Sequence, residues 1–404
     1  MKQWLETYQH LNIYDALAAL LVFFVPFSFA FPNIVLIPLG IVFLFQKKWK
    51  NLMLIKFKAF YIYVFLILFI TLNIVIQGHI KESFDIISKF YISILFFLLF
   101  SIVKKKYWIE IAFLAGLIVS LLISVFNILS QYVNNKMINI DIGSQTNALL
   151  SIERPYLGFM IALGFFIIFK NIRKHDWSNW LYFLSLIFIS FVIYISARLS
   201  LALILIITFH HLNHVFRHRR KLFYSSVIVF ASIFVFAVLV NDNFRNRMRI
   251  KSSYQQTIKA LKAYEPRYLI WPCALGNTAK VGWLTGTGGY DVSKQLQVNC
   301  YTENIKRPKK IRYYQTEAFN THNQYLDFLL VSGLIPLILL LIFLITLLVN
   351  YFRYPLGMLS LFFLLFFLVE NVLHRQLGVF IFGIFFGLYW PRLTSKSSNH
   401  NLKL

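Results

Sequence analysis

Apolar runs separated by short basic turns recur over residues 13–31, 33–46, 57–77, 84–102, 108–132, 154–170, 180–196, 198–214, 222–240, 323–350, 355–373 and 376–391. A helix needs about 20 apolar residues to cross a bilayer, and most of these runs approach or exceed that length. The pattern predicts an all-α integral membrane protein with about twelve transmembrane helices. Run 33–46 is short, and runs 180–196 and 198–214 are nearly continuous. One polar gap, 241–322, predicts a large, partly helical loop between helices 9 and 10. The expected layout is helices 1–9 within 1–240, the loop at 241–322, helices 10–12 within 323–393, and a polar tail at 394–404.

Composition fits this pattern. The chain is 59% hydrophobic and 14% charged, with mean hydropathy +0.67, more apolar surface than a soluble fold of this length can bury. The first run lacks a small-residue cleavage site, so it reads as a first span rather than a signal peptide. The net charge is +25. Twenty Lys and Arg residues fall in one alternating set of turns and termini, including Lys47, Lys104, Arg173, Arg219 and Arg392. The other short loops hold six: Lys81, Lys89, Lys136, Arg154, Arg198 and Arg375. That bias places both termini in the cytoplasm and the loop 241–322 outside. The loop carries 14 Lys and Arg against five acidic residues, which fits either anionic headgroups or a polyanionic ligand. The basic residues are scattered among turns and form no single face, which disfavours nucleic acid as a partner.

Candidate chemistry gathers on the outer side. The stretch Glu317–Gly333 joins the polar loop to an apolar helix. Asn323 is placed to cap that helix, with Leu326, Leu329 and Leu330 at helical spacing behind it. His322 then stands near the membrane boundary. It is either an interfacial residue bonded to a loop carbonyl or a group that moves a proton. Arg154 in Glu153-Arg154-Pro155-Tyr156, Arg198 in SARLS, and Arg267 in EPRYLIWPCALG lie on the same predicted side. Arginine at membrane depth is costly unless it faces protein, water or an anion. Arg154 could equally pair with Glu153, and a lone loop arginine such as Arg267 is usually solvated. Three guanidiniums with one histidine suit a reaction that expels a diphosphate, which arginine binds bidentately.

Glu370, four residues before His374 and five before Arg375, is either their local salt-bridge partner or an orienter of an arginine or a substrate hydroxyl. The chain contains no Asp-x-Asp, HExxH, EF-hand, CxxC or P-loop pattern. Thr285–Asp291, TGTGGYD, reads either as a plain glycine turn or as a close approach to phosphate. Cys273 and Cys300 share the loop, and a disulfide and two separate thiols both fit. A transporter of an anionic lipid-linked substrate would also place arginines in spans, but it predicts internal repeats and polar residues near the bilayer midplane. No repeat is visible, and the notable polar residues sit at outer helix ends.

In this order and on this side, the motifs resemble those of the O-antigen ligase and polymerase superfamily, bacterial inner-membrane glycosyltransferases of the GT-C kind. The resemblance rests on about twelve spans, a large loop after the ninth, HNQYLDFLLVSGL opening the tenth, Arg267–Trp271 followed by GTGGYD, SARLS at an outer helix end, and ENVLHRQLGVFIFGIFFG near the C-terminus. It implies transfer of a glycan from undecaprenyl diphosphate to an acceptor hydroxyl at the periplasmic face, without metal or other cofactor. In a ligase the acceptor is a lipid A–core sugar; in a polymerase it is another lipid-linked repeat. His322 becomes the expected base or acceptor-orienting residue, and Arg198 and Arg267 the expected diphosphate ligands. Arg154 is a further candidate ligand, with Glu370, Arg375, Asn323 and Tyr325 as supporting positions. The basic loop suits a phosphate-bearing lipopolysaccharide core and favours the ligase.

Overall fold

A computed structural model describes residues 12–51, 58–135, 147–171, 178–216, 218–240, 253–256, 265–305, 307–352 and 354–390. The tail 394–404, loop segments 241–252 and 257–264, and several residues of the charge bias (Lys2, Lys56, Lys136, Arg173, Lys174, Arg217, Arg353) lie outside them. The described regular structure is helical. Its first nine helices are α1 (Ile13–Phe24), α2 (Phe31–Phe45), α3 (Lys58–Ile76), α4 (Ile80–Ser101), α5 (Lys106–Asn135), α6 (Arg154–Asn171), α7 (Ser178–Tyr194), α8 (Arg198–Val215) and α9 (Arg220–Val240). The rest are α10 (Arg267–Val281), α11 (Tyr290–Asn304), α12 (Pro308–Glu317), α13 (Gln324–Ser332), α14 (Leu334–Asn350), α15 (Pro355–Phe367) and α16 (Gln376–Tyr389). Helices α3 and α4, and Lys106–Asn134 of α5, are long and apolar enough to cross a membrane; seven further apolar helices are shorter. Leu72, Leu122, Phe126 and Ile338 are apolar and exposed, a surface that suits lipid rather than water.

The chain forms two compact units. One contains Met1–Ala18, Asn33–Lys106 and Glu265–Leu404; the other contains Ala19–Pro32 and Tyr107–Tyr264. In the first, α4 and α16 run against each other because Gly383 and Gly387 leave their backbones room. A Cβ at Gly383 would lie 2.5 Å from Phe96 Cβ and 2.7 Å from the Ser93 carbonyl. This small-x3-small spacing is a packing device of membrane helices. Around it Tyr63, Phe343, Phe363, Phe382 and Phe386 pack edge to face or tilted, with centroids 4.6–6.3 Å apart. In the second unit α6 is buried along most of its length, and Glu110 of α5 accepts from Lys170 and Asn171 at its end.

Two predicted spans are broken. The run 323–350 is two helices, interrupted at Gly333, whose φ of +81° only glycine adopts easily. The run 355–373 ends as a helix at Phe367 and turns through a 3-10 segment, Val372–His374. The nearly continuous pair 180–196 and 198–214 is divided at Ile195–Ala197, where Ser196 has a φ of 53°. The break at Gly333 falls where hydrophobicity continues and pattern alone does not mark it; the break after Phe367 runs into the polar Glu370–Asn371; and the break at Ile195–Ala197 is where the sequence already separates two runs.

The polar segment contributes three helices to the first unit. A disulfide between Cys273 and Cys300 joins α10 to α11, and Ile270, Tyr301 and Tyr314 of α12 pack around it. The glycine turn connecting α10 to α11 lies against the end of α13. Thr287 N–H donates to the Leu330 carbonyl (2.8 Å), Gly288 N–H to Val331 (2.8 Å), and Leu334 N–H to Trp283 (2.8 Å). A Cβ at Gly286 would come within 2.6 Å of the Leu330 carbonyl. The TGTGGYD glycines therefore serve close backbone packing at the Gly333 break.

Candidate active site

His322 lies in the turn between α12 and α13, and the physical question is what keeps that turn in place. Its φ of 44° is in the left-handed region, where histidine is uncommon and strained. Several bonds hold it there. Asn320 Oδ1 accepts from the His322 N–H (3.0 Å), and the Trp271 indole of α10 donates to the Thr321 carbonyl (3.1 Å). Asn323 caps α13, as its position predicts, its Oδ1 accepting from Tyr325 and Leu326 N–H.

The deepest support comes from the segment after α15. Asn371, 1% exposed, accepts at Oδ1 from the Asn323 N–H (2.6 Å) and the Thr321 hydroxyl (3.1 Å). Its Nδ2 donates to Asp327 Oδ1 at 2.9 Å. Gln324 Oε1 accepts from the Leu373 N–H (2.9 Å). Below them His374 Nε2 and Asp327 Oδ2 lie 2.7 Å apart, an ion-pair distance without hydrogen-bond geometry. Sequence reasoning missed Asn371, Asp327 and His374 as parts of the site.

Beside Asn371, Glu370 reaches two other groups. Its Oε2 is 3.4 Å from His322 Nδ1 and its Oε1 is 3.7 Å from an Arg267 terminal nitrogen. The helix has already ended at Phe367, so Glu370 turns toward Arg267 and His322, and these are its close partners. Arg267 begins α10. It donates to Glu265 (2.8 Å) and to the Val369 carbonyl (2.9 Å), while its buried Nε has no hydrogen-bond partner. The three side chains are 26% (His322), 12% (Glu370) and 29% (Arg267) exposed, a partly open cluster. Next to it Phe319 bridges the His322 ring (5.7 Å) and the rings of Tyr313 (5.5 Å) and Tyr314 (5.3 Å). Burial, with Tyr313 and Glu265 adding, pushes the Tyr314 phenol up to about 12. Burial and Glu317 raise that of Tyr313, so both rings stay neutral.

Residues 183–341 match the family model described as O-antigen ligase. Over those residues, which make up less than half of the chain, the protein is similar to the O-antigen ligase family. No curated protein matches the chain significantly. The matched region contains Arg198, Arg267 and His322, and excludes Arg154, Glu370 and Arg375.

The structure brings His322, Arg267 and Glu370 together with Asn323 in the first unit. Tyr325 packs its ring against Phe367 and donates to the Leu364 carbonyl (2.9 Å); Arg375 is exposed at the start of α16. Arg154 and Arg198 belong to the second unit. Arg198 is exposed at the first position of α8, after the strained Ser196. Arg154 begins α6, and its buried Nη1 makes no hydrogen bond. Starting a helix with a cation is not diagnostic here, because Lys58, Lys106 and Arg220 do the same.

Proposed function

We propose that this protein is an O-antigen ligase. It moves a glycan from undecaprenyl diphosphate to a lipid A–core sugar hydroxyl at the periplasmic face of the bacterial inner membrane. The observation that carries this reading is the His322–Glu370 contact, with Arg267 on the same carboxylate, where His322 and Arg267 lie inside the region matched to the family and Glu370 lies beyond it. Glu370 faces Nδ1 of His322 and favours the tautomer with its proton there, leaving Nε2 as the base. The acceptor hydroxyl gives its proton to Nε2 as its oxygen bonds to the anomeric carbon. The bond from that carbon to the diphosphate oxygen breaks, and undecaprenyl diphosphate leaves with the electron pair. Glu370 stabilises the imidazolium that results.

Arg267 has both terminal nitrogens engaged and would meet a diphosphate only by exchanging Glu265 or Val369. As placed, its first task is to hold Glu370. Arg198 and Arg154 are proposed diphosphate ligands on the family resemblance alone. The twelve-span topology, with 241–322 outside, draws support from contacts between that segment and the α3–α4 turn, which the charge bias puts on the same side. His79 and Asp291 are 3.2 Å apart, Ser83 Oγ accepts from the Tyr290 N–H, and Asn73 donates to the Thr285 carbonyl. A cysteine at Ser253 should therefore react with a membrane-impermeant maleimide in intact spheroplasts, and one at Ser178 should not. The reverse pattern would sink the topology.

The test of function is a deletion strain and a lipopolysaccharide gel. Core lacking all O-chain while lipid-linked polymer accumulates is the result expected of a ligase. Core carrying a single repeat would instead make the protein a polymerase, the alternative reading.

A further inference from the structure

Helix α12 carries an exposed stripe that the chemistry above does not use. Lys309, Arg312, Tyr313 and Thr316 recur at i, i+3, i+4 and i+7, the spacing of one helical face, and all four are exposed. Tyr313 is 49% exposed. The other side of the helix is the structural one: Tyr314 is buried against Tyr301 and Phe319, with the Lys310 ammonium 5.9 Å from its ring. Between 303 and 317 five basic residues stand against Glu303 and Glu317. Among the described residues Lys309 and Arg312 have no ion-pair partner, whereas Arg267 and Lys89 do.

The stripe also leads to the site. Tyr313 touches Phe319 and Phe319 touches His322, so an aromatic edge runs from the cationic face to the proposed base in two contacts. A flat apolar ring suits the C–H face of a pyranose, and the flanking ammonium and guanidinium suit an anionic substituent on that sugar. We infer that Lys309, Arg312, Tyr313 and Thr316 form a subsite for an anionic sugar ring of the acceptor glycan, which delivers the attacking hydroxyl to His322. This rests on the ligase reading for the identity of the acceptor. The stripe's own prediction concerns which substrate loses affinity.

The test uses full-length protein in nanodiscs of zwitterionic lipid, with undecaprenyl-diphosphate glycan as donor and a phosphorylated core oligosaccharide as acceptor. Tyr313→Ala should raise the acceptor KM roughly 3- to 10-fold, with kcat and the donor KM within about twofold. Tyr313→Phe, which keeps the ring, should restore it. A Lys309→Ala/Arg312→Ala pair should lose the preference for the phosphorylated over the phosphatase-treated oligosaccharide. An unchanged acceptor KM in both variants overturns the proposal, and so does a rise confined to the donor KM. A Lys309/Arg312 effect that appears only when anionic lipid is added assigns the stripe to headgroups and overturns it as well. Saturation-transfer NMR with the oligosaccharide needs no turnover. Loss of that signal in Tyr313→Ala supports the subsite even where no transfer occurs, and retention refutes it, so this proposal and the ligase reading fail separately.

Discussion

His322→Ala should abolish detectable glycan transfer, a fall of about 10²–10⁴-fold, in a protein that remains folded and membrane-inserted. Folding is expected to survive because the turn is held by other groups: Asn320, Trp271 and Asn371 bind its backbone or its neighbours, not the imidazole. Alanine also adopts the left-handed φ of 44° at only modest cost. His322→Gln separates the two roles open to this side chain. Glutamine can hydrogen-bond an acceptor hydroxyl but cannot take its proton. A true base leaves Ala and Gln similarly inactive, whereas recovery of much of the rate in Gln would make His322 an orienting residue. Glu370→Gln should fall between them and the wild type, since an amide oxygen still accepts from Nδ1 but no longer neutralises an imidazolium. Full transfer by the alanine variant, measured with synthetic donor and acceptor, would remove His322 from the mechanism.

Asn371→Ala should unfold the site and weaken the whole first unit. It leaves the buried Asn323 N–H without its acceptor and Asp327 without its amide donor, while the Thr321 hydroxyl keeps the Asn323 carbonyl at 2.9 Å. Each orphaned group costs about 1–3 kcal/mol, and together the loss should reach about 3–5 kcal/mol. Asn371→Asp is nearly isosteric and sharper. It keeps an acceptor for Asn323 but sets a second carboxylate against Asp327, whose nearest oxygen is 2.9 Å from the present amide nitrogen. Both variants should show a clearly lower unfolding midpoint in detergent at a fixed scan rate. A wild-type midpoint for Asn371→Asp would show that the amide donor to Asp327 adds nothing to the stability of the unit. A wild-type midpoint for Asn371→Ala would show that the turn around His322 is fixed by Trp271 and Asn320 alone.

The candidate site was legible in part. His322 stands out because it is one histidine between a basic loop and an apolar helix, and Asn323 because an N-cap is a local device readable from three residues. Glu370 was visible as an acid near an apolar run, but its partners were not. Four-residue spacing to His374 suggests a helical pair only if the helix continues, and it stops at Phe367. Arg267 was visible as a cation and read as a phosphate ligand. Its bond to Val369, 102 residues away, had no sequence signal. Asn371 and Asp327 are ordinary polar residues 44 positions apart, and nothing in either neighbourhood marks them as a pair.

The sequence by itself determined the solvent and the class of fold: its apolar content demands lipid, and the length of its runs demands helices, because only helices satisfy their own backbone there. It also determined where a helix cap could sit, at Asn323. The tertiary structure decided where apolar runs break without losing hydrophobicity, which side of α12 faces out, and which carboxylate serves His322. These depend on contacts between segments far apart in the chain. Their energies come from desolvating one group against another, and no local pattern of residues records which two groups will meet.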